Sequence, residues 1–585
     1  MQKAEPIDTS SSRPIPMTLI LLTAAVVHLP LLLMELPLKS FSANFHIFFA
    51  SHYLHHWFDP WNPKWFAGFS QTTYPPLAQQ WTALLSHILG LDLAYMAVQF
   101  AAILLLGVGV YRFSRIWVSP RAASLAALVG VLLGSESFLV YNAGQLGTTC
   151  AAPLYLLALP YLYDFLVRGG FRAFLKATVL FATAAAAHYG TLVFGTFFFA
   201  LPILALALMD RPREYSSAGG IVFRAIVMTL FVGAAVFLVL LPLWLALFRY
   251  PITQTPIPQA SRANFLLSPE WGLNYFLIPY GAMIFALPFI IWRGAVMPRL
   301  RPLMIGFWVC FLVGLGGTTP VGHWLLRHAF DVLTFERFTF WATLLALPIV
   351  GALCSELIAR FRVWAVVSLA ILAALSCAGA VAWTSFRPPD PDNFSVDPVA
   401  EWLNRDHDAY RYIVLGFGNK LSRLSMETNA TTLDGEWYSE RRLPELTKYD
   451  GGALNNARFF GVEGIDALRA ILEHADRYGL KWVFVQDPYY DPLLEFAGWR
   501  QVDEIDYGAI TIWSKEGVPP AAPMNQALMP PHWQGVLWGT LPFGSSILAI
   551  LLAVLIPDRQ RREFDEETTV TPISQGTLVS GRMVS

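Results

Sequence analysis

The sequence predicts an α-helical multi-pass membrane protein of about twelve spans that carries one small α/β unit. Charged residues make up 14% of the chain and hydrophobic residues 55%, whereas soluble domains are about 25% charged. Apolar windows of about 20 residues, the length that crosses a bilayer, recur along the chain. Between them, arginines and lysines concentrate in alternate short loops. With 40 Lys+Arg against 41 Asp+Glu the net charge is −1, which leaves no basic footprint for nucleic acid. A soluble globular enzyme and a disordered chain are excluded by the same composition.

The polar start 1–16 precedes an apolar run at 17–36 with no small-residue cleavage site, so it reads as an uncleaved first span. Further spans are predicted at 91–111, 122–140, 150–167, 171–187, 191–209, 221–248, 273–292, 303–317, 338–357, 363–383 and 536–556. The 171–209 stretch divides in two at His188-Tyr189-Gly190. With that division all the basic clusters fall on the N-terminal side: Arg112, Arg115 and Arg121; Arg168, Arg172 and Lys176; Arg211, Arg213 and Arg224; Arg293, Arg299 and Arg301; Arg360 and Arg362; Arg559, Arg561 and Arg562. The positive-inside rule makes that side cytoplasmic. The expected organisation is a cytoplasmic N-terminus (1–16), a membrane unit (17–384) with an outer loop at 37–90, an extracytoplasmic α/β unit (385–532), a last span (533–556) and a disordered cytoplasmic tail (557–585). The expected location is the cytoplasmic (inner) membrane.

Within the polar unit, 412–415 reads as a buried strand, 465–478 as a helix, 481–486 as a strand after a Gly479 cap and 506–513 as a final strand. The unit has no cysteine. The four cysteines, Cys150, Cys310, Cys354 and Cys377, lie in apolar stretches without metal or redox spacing.

The first outer segment is the most informative. Residues 40–58 read as a helix with Phe41, Phe45, Phe48, Phe49, His52 and His56 on one face and Asn44, Ser51 and His55 on its flank. Such a helix is expected to lie among the headgroups with its rings towards lipid. His52, His55 and His56, with Asp59 nearby, have spacing open to a metal, although interfacial histidines are the commoner case. Proline, glycine and asparagine make 58–77 irregular, and Pro75-Pro76 starts a helix running to about 89. Its rings at Trp61, Trp65 and Phe69 suit either stacking on a sugar or polyprenyl surface or an interfacial anchor belt. Glu136 lies in an apolar run, where an unpaired carboxylate is costly, so it is expected to face a cavity or a partner.

The order of one span, a long outer segment with F-D-P-W-N-x-x-W-x-x-G at 58–68, then Y-P-P-L at 74–77, resembles a membrane family named for a supposed relation to 6-pyruvoyl-tetrahydropterin synthase. That family is similar to the GT-C glycosyltransferases. Asn142-Ala143-Gly144-Gln145-Leu146, His188-Tyr189 and Glu336-Arg337-Phe338 also resemble its motifs. The resemblance implies transfer of a sugar from a polyprenyl-phosphate donor to a glycan, lipid or protein acceptor at the outer face, among membrane lipids. Arg337, His188 and Lys64 become expected donor-phosphate ligands, and Asp59 and Glu136 are the candidate catalytic carboxylates, standing in for an aspartate that the family tends to carry and this chain lacks. Asn44, His46, Asn62, Trp61, Trp65, Tyr74, Gln145 and Glu336 become substrate contacts. No Gly-rich nucleotide loop is present and no nucleotide cofactor is expected; a divalent metal is left open. One departure stands out: Asn44 precedes Phe45-His46 where the family tends to carry an aspartate, and an amide cannot act as a base. The alternative is a catalytically degenerate GT-C-like scaffold, or a transport or assembly partner in cell-envelope polysaccharide biogenesis.

Overall fold

The computed structural model describes residues 13–210, 217–250, 256, 258–389, 393–448 and 453–556. The tail 557–585 with Arg559, Arg561 and Arg562, residues 1–12, and Arg211 and Arg213 lie outside the described residues.

Helices occupy all twelve apolar stretches, but their lengths differ. Among the described residues, eight are each long and apolar enough to cross a membrane, from Leu91–Ser114 to His532–Leu555. A ninth is the pair Pro269–Tyr280 and Met283–Val296 if its 69° bend is counted within one span. The other three, Met17–Leu33, Phe171–Ala187 and Arg301–Gly314, have 17, 17 and 14 residues. At about 1.5 Å per residue these fall short of a hydrocarbon core of about 30 Å. The expected 221–248 span is broken: Ala218–Val239 ends before Leu241–Arg249, which carries Pro242 in its first turn.

The helices pack through small residues. A Cβ on Gly351 would lie 2.1 Å from the Ala122 carbonyl oxygen, so Glu336–Phe361 and Pro120–Gly130 touch backbone to backbone. Close approach of this kind is the usual source of helix association where lipid removes the hydrophobic drive. At one end of the bundle the basic loops meet. Arg299 pairs with Asp210 and donates to the Ile116 carbonyl at 3.0 Å, and Arg293 pairs with Glu356.

At the other end sits a four-stranded sheet, with β1 (Trp61–Asn62) and β2 (Phe69–Ser70) forming a separate short pair beneath it. The larger sheet has β3 (Arg411–Leu415), β4 (Leu480–Val485), β5 (Arg500–Ile505) and β6 (Ile510–Ser514) in the order β3-β4-β6-β5. The β3–β4 pair is parallel and the others antiparallel. Alternate residues face two cores, as strand geometry requires. Tyr412, Val414, Trp482 and Phe484 pack into one core; Ile413, Leu415, Val483 and Val485 pack into the other.

That second core also contains Phe45, Phe48, Phe49, Trp65, Phe66 and Phe69. The helix predicted at 40–58 forms at Ala43–His55, but it is turned inward. Phe45, Phe48 and Phe49 are buried, and among the four phenylalanines only Phe41 is exposed. The periodicity located the aromatic face; what covers it is the 58–77 loop and the sheet unit rather than lipid. Trp65 stacks on Phe48 with centroids 4.0 Å apart and donates its indole N–H to Ser425 Oγ at 2.9 Å. A shared aromatic core therefore fixes the sheet unit on the membrane helices.

Candidate active site at three helix starts

Three membrane helices begin around one polar cluster. Gln145 is the N-cap residue of Leu146–Arg168, His188 that of Tyr189–Gly195, and Arg337 lies in the first turn of Glu336–Phe361. The glycines explain how they meet. Gly144 has φ +66°, and a Cβ there would press on Ser40 Oγ at 2.5 Å, so only glycine lets this turn lie on the 40–43 segment. Phe41 and Ser42 donate their backbone N–H groups to the carbonyls of Asn142 and Ala143. A Cβ on Gly147 would lie 3.1 Å from the Ala187 carbonyl, which sets the start of the second helix beside His188.

Arg337 Nη2 donates to Gln145 Oε1 at 2.8 Å, and Gln145 Nε2 donates to Glu336 Oε1 at 3.2 Å. Glu336 thereby fixes which end of the amide faces the guanidinium. His188 Nδ1 accepts from the Thr191 backbone N–H at 3.1 Å. A neutral imidazole whose Nδ1 accepts must carry its proton on Nε2, and Nε2 lies 3.5 Å from Arg337 Nη1. Burial, then the fields of Arg337 and His46, hold His188 well below its ordinary pKa, so it is neutral. His188 Nδ1 also lies 2.9 Å from Thr191 Oγ1; in the tautomer whose Nδ1 accepts from the backbone, the Nε2–H and Arg337 Nη1–H donors face one another, and among the described residues Arg337 Nε is buried without a partner. No carboxylate lies within ion-pair distance of Arg337 among the described residues.

His46 and Tyr74 form the wall. His46 meets Gln79 Nε2 through Nδ1 at 2.9 Å and bonds the Gly144 backbone, and burial pushes its pKa down to about 3. It is therefore a neutral tie holding the Gln145 turn. Tyr74 packs on His46 with centroids 5.9 Å apart and edge-on against Trp437 at 4.9 Å.

The remaining residues singled out in the sequence lie elsewhere. Asn62 and Lys64 line a cleft of about 480 Å³ with Phe48, Ser51, His52, His55, His56, Asp92, Arg423 and Glu427, across the Ala43–His55 helix from His46. Lys64 Nζ donates to the Thr428 carbonyl there. Asp59 is exposed; its carboxylate takes the Trp61 N–H at 3.0 Å and its carbonyl meets His52 Nε2 at 2.7 Å. Glu136 is buried within the 120–143 stretch with both oxygens unpartnered. Neither Asp59 nor Glu136 touches the Arg337 cluster among the described contacts. Trp65 is fully buried, so its ring has no face for a sugar, and Trp61 lies over Gly68. Asn44 sits in the first turn of its helix, partly buried. Among the described residues no group of three His, Cys, Asp or Glu is gathered for a metal ion; the histidine run and Asp59 do not fit one.

Gln79, Thr191 and Trp437 belong to the cluster and its wall but were not singled out in the sequence. Their only signal is a polar or aromatic residue in an apolar or turn context, which is common.

No family profile matches the chain and no curated protein matches it. Solved structures do. It is similar to the arabinofuranosyltransferase AftD from Mycobacteria, with TM-score 0.51 and 15% identity, covering 86% of this chain and 40% of that one. A mutant R1389S form of the same enzyme gives 0.52, also at 15% identity and 86% coverage of this chain, and 42% of that one. The oligosaccharyltransferase AglB from Archaeoglobus fulgidus, solved with an inhibitory peptide and a dolichol-phosphate, gives 0.49 at 12% identity, covering 90% and 77%. The chain spans about 40% of the length of the AftD structure. At this identity the likeness is one of fold: the chain is a multi-span membrane protein that shares the helical architecture of the AftD structure. The narrower pterin-named family rests on the motif residues alone.

Proposed function

We propose that the protein is a membrane glycosyltransferase that moves a sugar from a polyprenyl-phosphate donor to a glycan, lipid or protein acceptor, at the outer face of the cytoplasmic membrane. The observation that supports it most is the pair of facing donors, Arg337 Nη1 and His188 Nε2, where three helices start. An oxyanion between them would satisfy both, and helix N-termini favour negative charge. A guanidinium held by Gln145 is a fixed fork suited to phosphate. The membrane helices begin at this depth, which suits a phosphate whose lipid tail stays in the bilayer. In this reading both termini are cytoplasmic, all twelve helices span, and the sheet unit is extracytoplasmic. As the sugar leaves, Arg337 and His188 stabilise the phosphate charge that develops. The degenerate-scaffold reading keeps one observation in its favour, Asn44 at the position where a carboxylate is expected.

The test is native mass spectrometry of the protein in nanodiscs with undecaprenyl phosphate, with turnover of undecaprenyl-phosphoryl pentoses and hexoses alongside. Binding and turnover that Arg337→Gln abolishes support the enzyme; binding without turnover by the parent supports the scaffold.

A further inference from the structure

Transfer from a lipid phosphate needs a group that takes the proton of the acceptor hydroxyl as its oxygen bonds to the sugar. Asp59 is exposed beside the cleft histidines, Glu136 is walled inside the helices, and Glu336 gives Oε1 to the Gln145 amide while its Oε2 is buried without a partner among the described residues. A fourth carboxylate comes from the sheet unit. The segment 432–442 leaves the sheet and lies on the aromatic core, where a Cβ on Gly435 would come within 2.8 Å of the Trp65 and Phe66 rings. Its Trp437 donates the indole N–H to Thr73 Oγ1 at 2.8 Å. The Thr73 hydroxyl, bonded as an acceptor, donates its own proton to the buried Glu440 carboxylate. Thr73 immediately precedes Tyr74, the wall of the Arg337 cluster. On the same turn Gln71 is fully buried with both amide atoms unpartnered. A buried amide without partners is costly and marks a place where a hydroxyl-bearing ligand would be satisfied.

Resting on the donor reading above, we propose that Glu440 is the general base of the transfer and that the Gln71–Thr73 turn receives the acceptor hydroxyl. The acceptor oxygen forms its bond to the anomeric carbon as the bond from that carbon to the phosphate oxygen breaks. The electron pair leaves with the polyprenyl phosphate, held by Arg337 and His188, and the acceptor proton passes to Glu440 and then to solvent. Atoms and charge balance without a co-reactant. Burial, opposed by Arg442 and the Thr73 hydrogen bond, raises the Glu440 pKa to about 7, where a carboxylic acid can exchange protons at neutral pH. Among the described residues, Arg442 lies 3.7 Å from Glu440, with its guanidinium over the Tyr250 ring.

The experiment uses the full chain in nanodiscs, a panel of undecaprenyl-phosphoryl pentoses and hexoses, and methyl glycosides as acceptors. Glu440→Gln should lower turnover by about 10²–10⁴-fold while binding undecaprenyl phosphate within threefold of the parent. Formate should restore part of the rate to Glu440→Ala. Thr73→Val should move the acid limb of the pH–rate profile upward, because the charged carboxylate loses a donor. Turnover of Glu440→Gln within threefold of the parent would overturn the assignment, as would loss of undecaprenyl phosphate binding in that variant, which marks a structural role. A parent that turns over no member of the panel overturns the donor reading itself, and the base assignment with it.

Discussion

On one side of the Ala43–His55 helix, Arg337 has an amide and a neutral imidazole beside it and no carboxylate within ion-pair distance among the described residues. On the other side, Arg423 is bridged to Asp92 at 3.0 Å and to Glu427, and Lys64 spends its ammonium on a backbone carbonyl. Both places hold a cation, imidazoles and a side-chain amide. The cleft is the more open of the two, yet its charges cancel within the protein. The cluster leaves its positive charge and facing N–H groups for something else to answer. What distinguishes an anion site is thus the missing counter-charge, more than the volume.

The largest expected effect breaks that comparison directly. Arg337→Gln should reduce donor turnover by at least about 100-fold, the scale for losing a positioned charge-stabilising donor, while Arg423→Gln stays within threefold of the parent. Steady-state release of undecaprenyl phosphate measures both. Next, Gln145→Leu removes the acceptor that orients Arg337. It should raise the donor KM by about 10- to 150-fold, since one buried hydrogen bond to a charged group is worth about 1.5–3 kcal/mol. If Gln145→Leu leaves KM unchanged, the guanidinium is held by other means.

Much of this was legible in the sequence, and the gaps have physical reasons. Gln145, His188, Glu336 and Arg337 could be singled out because they lie in segments that resemble motifs of the pterin-named family, at the ends of apolar stretches. That they would bond to one another could not be, since 191 residues separate Gln145 from Glu336 in the chain. The Ala43–His55 helix was readable from its periodicity, but periodicity gives a face and not its covering. Lipid and a second protein core are equally apolar, so the turn of Phe45, Phe48 and Phe49 towards Trp65 was invisible. Likewise Lys64 sits close in sequence to Tyr74 yet lies across the helix from the cluster, because the left-handed residues Phe66, Ala67 and Gly68 reverse the chain between them. Of the twelve stretches, Met17–Leu33, Phe171–Ala187 and Arg301–Gly314 form helices shorter than a bilayer core, because periodicity and composition mark an apolar stretch without fixing where its helix ends.

One histidine on each face gives a pH effect. Burial holds His46 at about 3 and His52 at about 4, both below 6.5. The folded chain keeps them neutral while the unfolded chain protonates them, so stability is lost as the pH falls from about 6.5 towards 4. The slope is at most about 1.4 kcal/mol per pH unit for each histidine. Thermal midpoints in detergent should flatten with pH in His46→Gln; an unchanged slope would show that His46 is protonated in the fold. The smallest effect is on the cleft side. Asp92→Asn breaks a half-exposed ion pair, so it should cost under about 1 kcal/mol and leave undecaprenyl phosphate binding unchanged in the native mass spectrum.

The central claim is that the lipid phosphate binds where the three helices start and not in the larger cleft. Photo-crosslinking with a diazirine-bearing undecaprenyl phosphate analogue, followed by peptide mapping, tests it most directly. Labelling confined to peptides covering 142–149, 188–192 and 336–341, and lost in Arg337→Gln, is the predicted result. Labelling of 48–64 and 420–427 that survives Arg337→Gln would contradict it.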